Sequence, residues 1–292
     1  MSLNGVIGDR VIMVELLGVL LGLFDVRVFL LAGVVFIPLE RLLPLHREQR
    51  AFRRWWRNDV IYVFANGALI RIGLGSLMVV TPAISGWLVP AGLRAAVALQ
   101  PYWLQVVEAI ILADLGFYIA HRMFHGVPWL WRFHAIHHSI EELDWLAGVR
   151  VHALDQVVTK GISMLPLLVL GFDAMPIAIS AGIYFWHSIL LHANVRMSFG
   201  PLRWVIASPL FHHWHHAARP DAYGKNFAGQ LSILDKLFGT MYMPEGQAPE
   251  RYGVEDPVPH AYISQMLYPF KGGRQPKRPD GQAHIPSGAL FE

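Results

Sequence analysis

The sequence predicts an all-α fold: a polytopic bundle of membrane helices carrying a histidine-rich cap on one side. Three observations predict it. Apolar types make up 54% of the 292 residues and charged types only 15%, against roughly 25% charged in soluble chains. With a mean hydropathy of +0.39, much of the folded surface is expected to face lipid rather than water. The apolar residues fall in runs near the ~20-residue length that crosses a bilayer as helix, and 15 histidines gather in short clusters between them.

Composition also excludes several chemistries. The chain has no cysteine, so disulfides, thiolate metal sites, iron–sulfur clusters and cysteine nucleophiles are ruled out. A net charge of +3, much of it from one basic stretch, suits a membrane surface and offers no broad basic face to nucleic acid. The opening MSLNGVIGDR lacks the basic start and cleavage site of a secretory signal, so the first apolar segments read as retained anchors.

Residues 1–100 read as membrane-anchoring helices. Apolar runs at 11–24 and 28–38 form one tilted span, or an interfacial helix followed by a span ending near Leu45. The basic loop 40–59 holds Arg41, Arg47, Arg50, Arg53, Arg54 and Arg57, which marks it as cytoplasmic by the positive-inside bias. Residues 60–80 then cross outward, and Pro82, Gly86, Pro90 and Gly92 are expected to break the chain on the far side. Residues 101–120 return and deliver His121 to the cytoplasmic face. Residues 156–170 and 174–191 make a helical hairpin, its first arm shortened by Lys160 and Pro166. By parity, the histidines of 121–138 and of 212–216 share the cytoplasmic side. The histidine-bearing domain is 101–244, and 245–292 reads as an irregular cytoplasmic tail.

The spacing of the histidines carries the chemistry. His121 and His125 lie four apart and share a helix face. Asp114, two turns earlier, falls within roughly 40° of them, as a carboxylate that can orient a ligating imidazole through its outer nitrogen; Tyr118 borders the same stripe. His134, His137 and His138 repeat the HxxHH spacing of His212, His215 and His216, which groups three imidazoles on one side of a helix. His213 points about 100° away from His212. Eight imidazoles exceed what one ion accommodates, so the cap is expected to hold two metal ions, and neutral nitrogen donors favour transition metals.

Together, DLGFYIAHRMFH, WRFHAIHHSIEELDWLAGVRVH and SPLFHHWHHAARPDAYGKNFAGQLSILDKLFGTMY resemble the fatty acid hydroxylase and sterol desaturase superfamily, over about residues 100–244. The resemblance implies ligation of two iron ions, with zinc able to replace them in isolated protein, by His121, His125, His134, His137, His138, His212, His215 and His216. It adds His152, in an RxH element followed here by Ala153 in place of the usual proline, and His192, which precedes Asn194 in an HxN element. It implies an O2-dependent hydroxylase or desaturase of a lipid-like substrate. No flavin, dinucleotide or haem module is legible in the chain, so a separate reductase, ferredoxin or cytochrome is expected to donate electrons, and Arg53, Arg54 and Arg57 could dock an acidic carrier. Phe117, Tyr118, Phe124, Trp129, Trp131, Phe133, Trp145 and Trp214 are candidates for the wall of a substrate chamber. His46, His187, His260 and His284 are read as uninvolved.

Three other readings compete. A zinc membrane hydrolase expects HExxH, which is absent. A haem-binding electron carrier expects histidines paired across spans, and a metal transporter expects polar residues through the bilayer. None of them accounts for histidine triplets massed at one side.

Overall fold

The computed structural model describes residues 26–271; the apolar run at 11–24, the end of the tail and His284 lie outside the described residues. The fold is all-α, and among the described residues the only bridges are two isolated ones, Pro44 with Val195 and Ala217 with Tyr252. Helix α1 is Val26–Leu42, α2 is Trp56–Ile61, and a π-helical turn, Tyr62–Asn66, joins α2 to α3, Gly67–Leu88. Then follow α4 (Ala91–Ala98), α5 (Tyr102–Gly126), α6 (Pro128–His138), α7 (Ala153–Leu170), α8 (Ala174–His192), α9 (Pro209–His215), α10 (Ile233–Leu237) and α11 (Tyr262–Leu267).

Four stretches are long and apolar enough to cross a membrane: Trp56–Leu77, Tyr102–Gly126, Ala153–Leu170 and Ala174–His192. The protein is an integral membrane protein. Both arms of the expected hairpin are long and apolar enough to be full spans, Lys160 and Pro166 included. The break expected at Pro82 and Gly86 does not occur, since α3 runs on to Leu88. Prolines are tolerated in membrane helices where hydroxyls and neighbouring helices serve the backbone; beside this one, the Thr81 hydroxyl donates to the Leu77 carbonyl at 2.7 Å.

Helices α5 and α7 form the centre: α7 packs against α3 and α5, and α8 packs against α5. Small residues set these crossings, because lipid supplies no hydrophobic drive between helices and close backbone approach must replace it. A Cβ at Gly116 of α5 would lie 2.8 Å from the Ile162 carbonyl oxygen of α7, and one at Gly73 of α3 would lie 2.6 Å from a methyl of Val157. Alanine at either position would force the helices apart.

The ends of α5, α7 and α8 are roofed by α6, α9 and irregular chain. Residues 245–271 are mostly irregular and belong to the roof. The Gln265 side-chain oxygen accepts from Asn58 at 3.1 Å and from the Tyr62 hydroxyl at 2.8 Å, and Trp131 donates to Asp256 at 2.9 Å.

Candidate metal centre

Nine buried or half-buried imidazoles meet where the roof joins the bundle, in two adjoining groups that can each hold a metal ion. The first is His121, His125, His134, His138 and His215; the second is His137, His192, His212 and His216. Within each group the candidate ligand atoms all lie within 4.8 Å of one another. Each group draws on α6 and α9, the first adding α5 and the second α8. The i, i+3, i+4 spacing explains the sharing: on α6, His134 and His138 turn to the first group and His137 to the second.

The inner nitrogens fit an ion. His121 and His134 approach Nε2 to Nε2 at 3.0 Å. In the second group the corresponding separations are 3.2 Å for His192–His137, 2.9 Å for His212–His192 and 3.1 Å for His216–His212. Two nitrogens each about 2.1 Å from one ion and at right angles would lie about 3.0 Å apart. The Nε2 atoms of His125, His138 and His215 are buried with no hydrogen-bond partner, which a polar atom rarely tolerates without some other partner. An ion at the centre of the group would supply that partner.

Outer nitrogens are held by a different set of groups. His121 Nδ1 donates to the Phe227 carbonyl at 2.7 Å, His215 Nδ1 to Lys225 at 2.8 Å, His137 Nδ1 to Arg150 at 3.2 Å and His192 Nδ1 to Ser188 at 2.7 Å. His134 Nδ1 faces the Asp155 carboxylate at 2.7 Å. These contacts fix the tautomer with the proton outward and the Nε2 lone pair inward, as a ligating histidine requires. Burial, then the neighbouring imidazoles, hold His137, His138, His212 and His216 well below the usual histidine range, and burial brings His215 down to about 3. They are therefore neutral at physiological pH, the form that binds a metal.

The loop after the third cluster does much of this positioning. Asp235 accepts the amides of Phe227 and Ala228 at 2.7 and 2.8 Å and the Thr240 hydroxyl at 2.6 Å. Asn226, at φ 59°, donates to the carbonyls of Phe211 and Tyr242, both at 2.8 Å. The KNFAG and LDKLFGT segments thus form one clamp that presents two carbonyls to His121 and His215.

Asp114 belongs to that clamp and not to an imidazole. Its carboxylate accepts the amides of Gly229, Gln230 and Leu231 at 2.9, 3.0 and 2.6 Å, so it acts on His121 only through the loop. Sharing a helix face did not bring it within reach, because two helical turns separate it from His121. Tyr118 hydrogen-bonds Thr240 at 2.9 Å, and Asn194 exchanges hydrogen bonds with the His46 backbone at 2.9 and 3.0 Å. None of the three expected orienting residues touches a ring of either group.

His152 lies outside both groups. Its Nδ1 accepts the Leu154 amide at 3.1 Å, capping α7, and its Nε2 donates to the Met266 carbonyl at 3.2 Å. Both nitrogens are occupied by backbone. His192, by contrast, stands inside the second group. His213 is tied to Tyr252 and the Ala193 carbonyl, at 2.7 and 3.0 Å, and His187 to Ala207 at 2.8 Å. Sequence reasoning missed Asp155, since an acidic residue in the first turn of a helix is already explained by the helix dipole.

Below the histidines a cavity of about 220 Å³ runs into the membrane between α1, α3, α5, α7 and α8, touching rings of both groups. Of the aromatic residues expected to wall it, Phe117 and Trp145 do so. Trp131, Phe124 and Phe133 are core, and Trp129 is exposed.

Known proteins bear on this arrangement. Residues 106–240 match the fatty acid hydroxylase family. An ornithine lipid hydroxylase of Rhizobium tropici is 33% identical over 185 residues, covering 61% of this chain and 56% of that protein. Alkylglycerol monooxygenases of Xenopus tropicalis and Homo sapiens are each 31% identical, over 147 and 154 residues, covering 50% and 52% of this chain but 32% and 33% of theirs. The chain thus spans about half the length of the first relative and a third of the others. No solved structure matches. The segment that carries all nine imidazoles thus matches a fatty acid hydroxylase domain, and the relatives it resembles are, by name, lipid hydroxylases and monooxygenases.

Proposed function

We propose that the chain is an O2-dependent di-iron oxygenase that hydroxylates or desaturates a membrane lipid, with electrons from a separate donor. The observation that carries this reading is that two abutting histidine groups open onto one intramembrane cavity. Its relatives, by name, act on ornithine lipid and alkylglycerol, and substrates of that lipid class suit the cavity. Five imidazoles would hold one ion and four the other, with zinc able to substitute for iron in isolated protein. Nitrogen separations near 3 Å favour six-coordinate iron over tetrahedral zinc, whose ligands would stand about 3.4 Å apart. When bound, the ions supply the redox chemistry that activates O2 against an unactivated C–H bond.

The chain's own residues do the rest. Asp155 and the carbonyls of Phe227, Lys225, Arg150 and Ser188 hold the imidazole protons outward. Helices α5, α7 and α8 exclude water from the metal end and align an alkyl chain beneath it. Arg47, Arg50, Arg54 and Arg57 lie exposed at the same end as the histidines, which supports a cytoplasmic metal centre by the positive-inside bias.

The test is oxygen uptake by the iron-loaded, chemically reduced protein in lipid nanodiscs, with the lipid products read by mass spectrometry. Uptake coupled to a lipid product 16 mass units heavier or 2 lighter is expected (one oxygen gained, or two hydrogens lost). Uptake without any altered lipid would contradict the reading.

A further inference from the structure

Besides the histidines, two charged side chains line the cavity, Asp155 and Lys160. Asp155 is committed to His134 at 2.7 Å. Lys160 has no comparable partner. Its ammonium stands 5.5 Å from the centre of the Tyr184 ring, and no carboxylate lies within ion-pairing distance among the described residues. It is half-buried on the α7 helix, at the wall of the cavity. Nearby hydroxyls are already engaged with their own helices: Thr159 donates to the Asp155 carbonyl and Ser180 to Ile177, both at 2.8 Å.

A lysine within a bilayer is costly, faces the bundle interior and has a partner. Here the protein offers it an aromatic face on one side and the cavity on the other. Lys160 is five residues beyond Asp155 on α7, about 7.5 Å deeper at helical rise. It therefore stands one to two helical turns beneath the first histidine group.

We propose that Lys160 is a substrate-binding residue, and that the substrate carries an anionic oxygen group, carboxylate or phosphate, within a few bonds of the carbon that is oxidised. The inference rests on the lipid-oxygenase reading and narrows it. A substrate oxidised in mid-chain would lay methylenes against the ammonium and leave it unpaired in a dry cavity. A lipid oxidised at or beside its polar head would seat the head's anion on Lys160 and its chains farther down among the spans.

The experiment is equilibrium binding of three probes with one acyl chain, N-oleoylglycine, oleoyl lysophosphatidate and monooleoylglycerol, to the full chain in neutral detergent. At least one anionic probe should bind about tenfold tighter than the neutral one, the scale of a charged hydrogen bond. Selective binding of the first probe identifies a carboxylate, of the second a phosphate, and of both their shared anionic chemistry. Lys160→Gln should erase the preference at unchanged metal content, and Lys160→Arg should keep it. Equal binding of all three probes by the natural chain, a preference that survives Lys160→Gln, or one lost equally in Lys160→Arg would overturn the proposal. Oxygen consumption with the neutral lipid alone would leave the oxygenase reading standing and remove this one. Anion-selective binding with no oxygen consumption would do the reverse.

Discussion

The two histidine groups are neighbours on the same helices, yet they are built differently. The first has five imidazoles, and three of its outer nitrogens are anchored, to Phe227, Lys225 and the Asp155 carboxylate. The second has four, anchored only by the carbonyls of Arg150 and Ser188, while the Nδ1 atoms of His212 and His216 are buried without a partner. A carboxylate on the outer nitrogen makes an imidazole the stronger donor, and a fifth ligand fills one more position. The first group is thus the tighter seat and the second the more open one. Three of the four rings of the second group face the cavity, against two of the five in the first. On the proposed reading, any open positions on the second ion would face the cavity.

That asymmetry can be broken most severely at the second group. His212→Ala removes one of only four ligands, and metal content should fall by about one ion per chain with complete loss of oxygen uptake, whereas His125→Ala should keep part of its ion. Elemental analysis of the two purified variants decides it, and equal losses would erase the distinction. Asp155→Asn should weaken metal retention by about 10–100-fold, the range for an outer-shell partner, and only for the first ion; titration with a chelator reads this directly. Asp235→Ala leaves the buried amides of Phe227 and Ala228 unpaired and should lower stability by on the order of 3 kcal/mol, seen as a lower melting temperature in detergent, with metal lost first from the five-histidine group. His152→Gln should have the smallest effect, about 1 kcal/mol from a weakened helix cap, with metal content unchanged. Loss of an ion in that variant would place His152 back among the ligands.

The helical fold and the grouping of the boxes were legible because each rests on local spacing. HxxHH on α6 and α9 puts three imidazoles on one side whatever surrounds it, and apolar runs of about 20 residues read as candidate spans. What escaped was contact between distant segments. Asp114 has the right angular position on α5 but the wrong height, and its three amide partners lie 115 to 117 residues away. His152 and His192 occupy equally suggestive motifs, and only the packing of α11 on one and of α9 beside the other separates them. Arg53 looks like its exposed neighbours in a basic loop, yet it is buried, 2.6 Å from Asp59 and 2.9 Å from Asp144, while Arg150 shares Asp59. An electron carrier that docks on this loop therefore has Arg54 and Arg57 to meet, and Arg53 instead braces the backbone whose carbonyl holds His137.

The most direct test counts ions. The full chain, purified after iron loading, should carry two irons with no haem absorbance, and a chelator should remove them in two steps, the more open four-histidine seat emptying first. One ion per chain under every loading condition, or two that leave together in a single step, would contradict a pair of unequal histidine seats at the head of one lipid cavity.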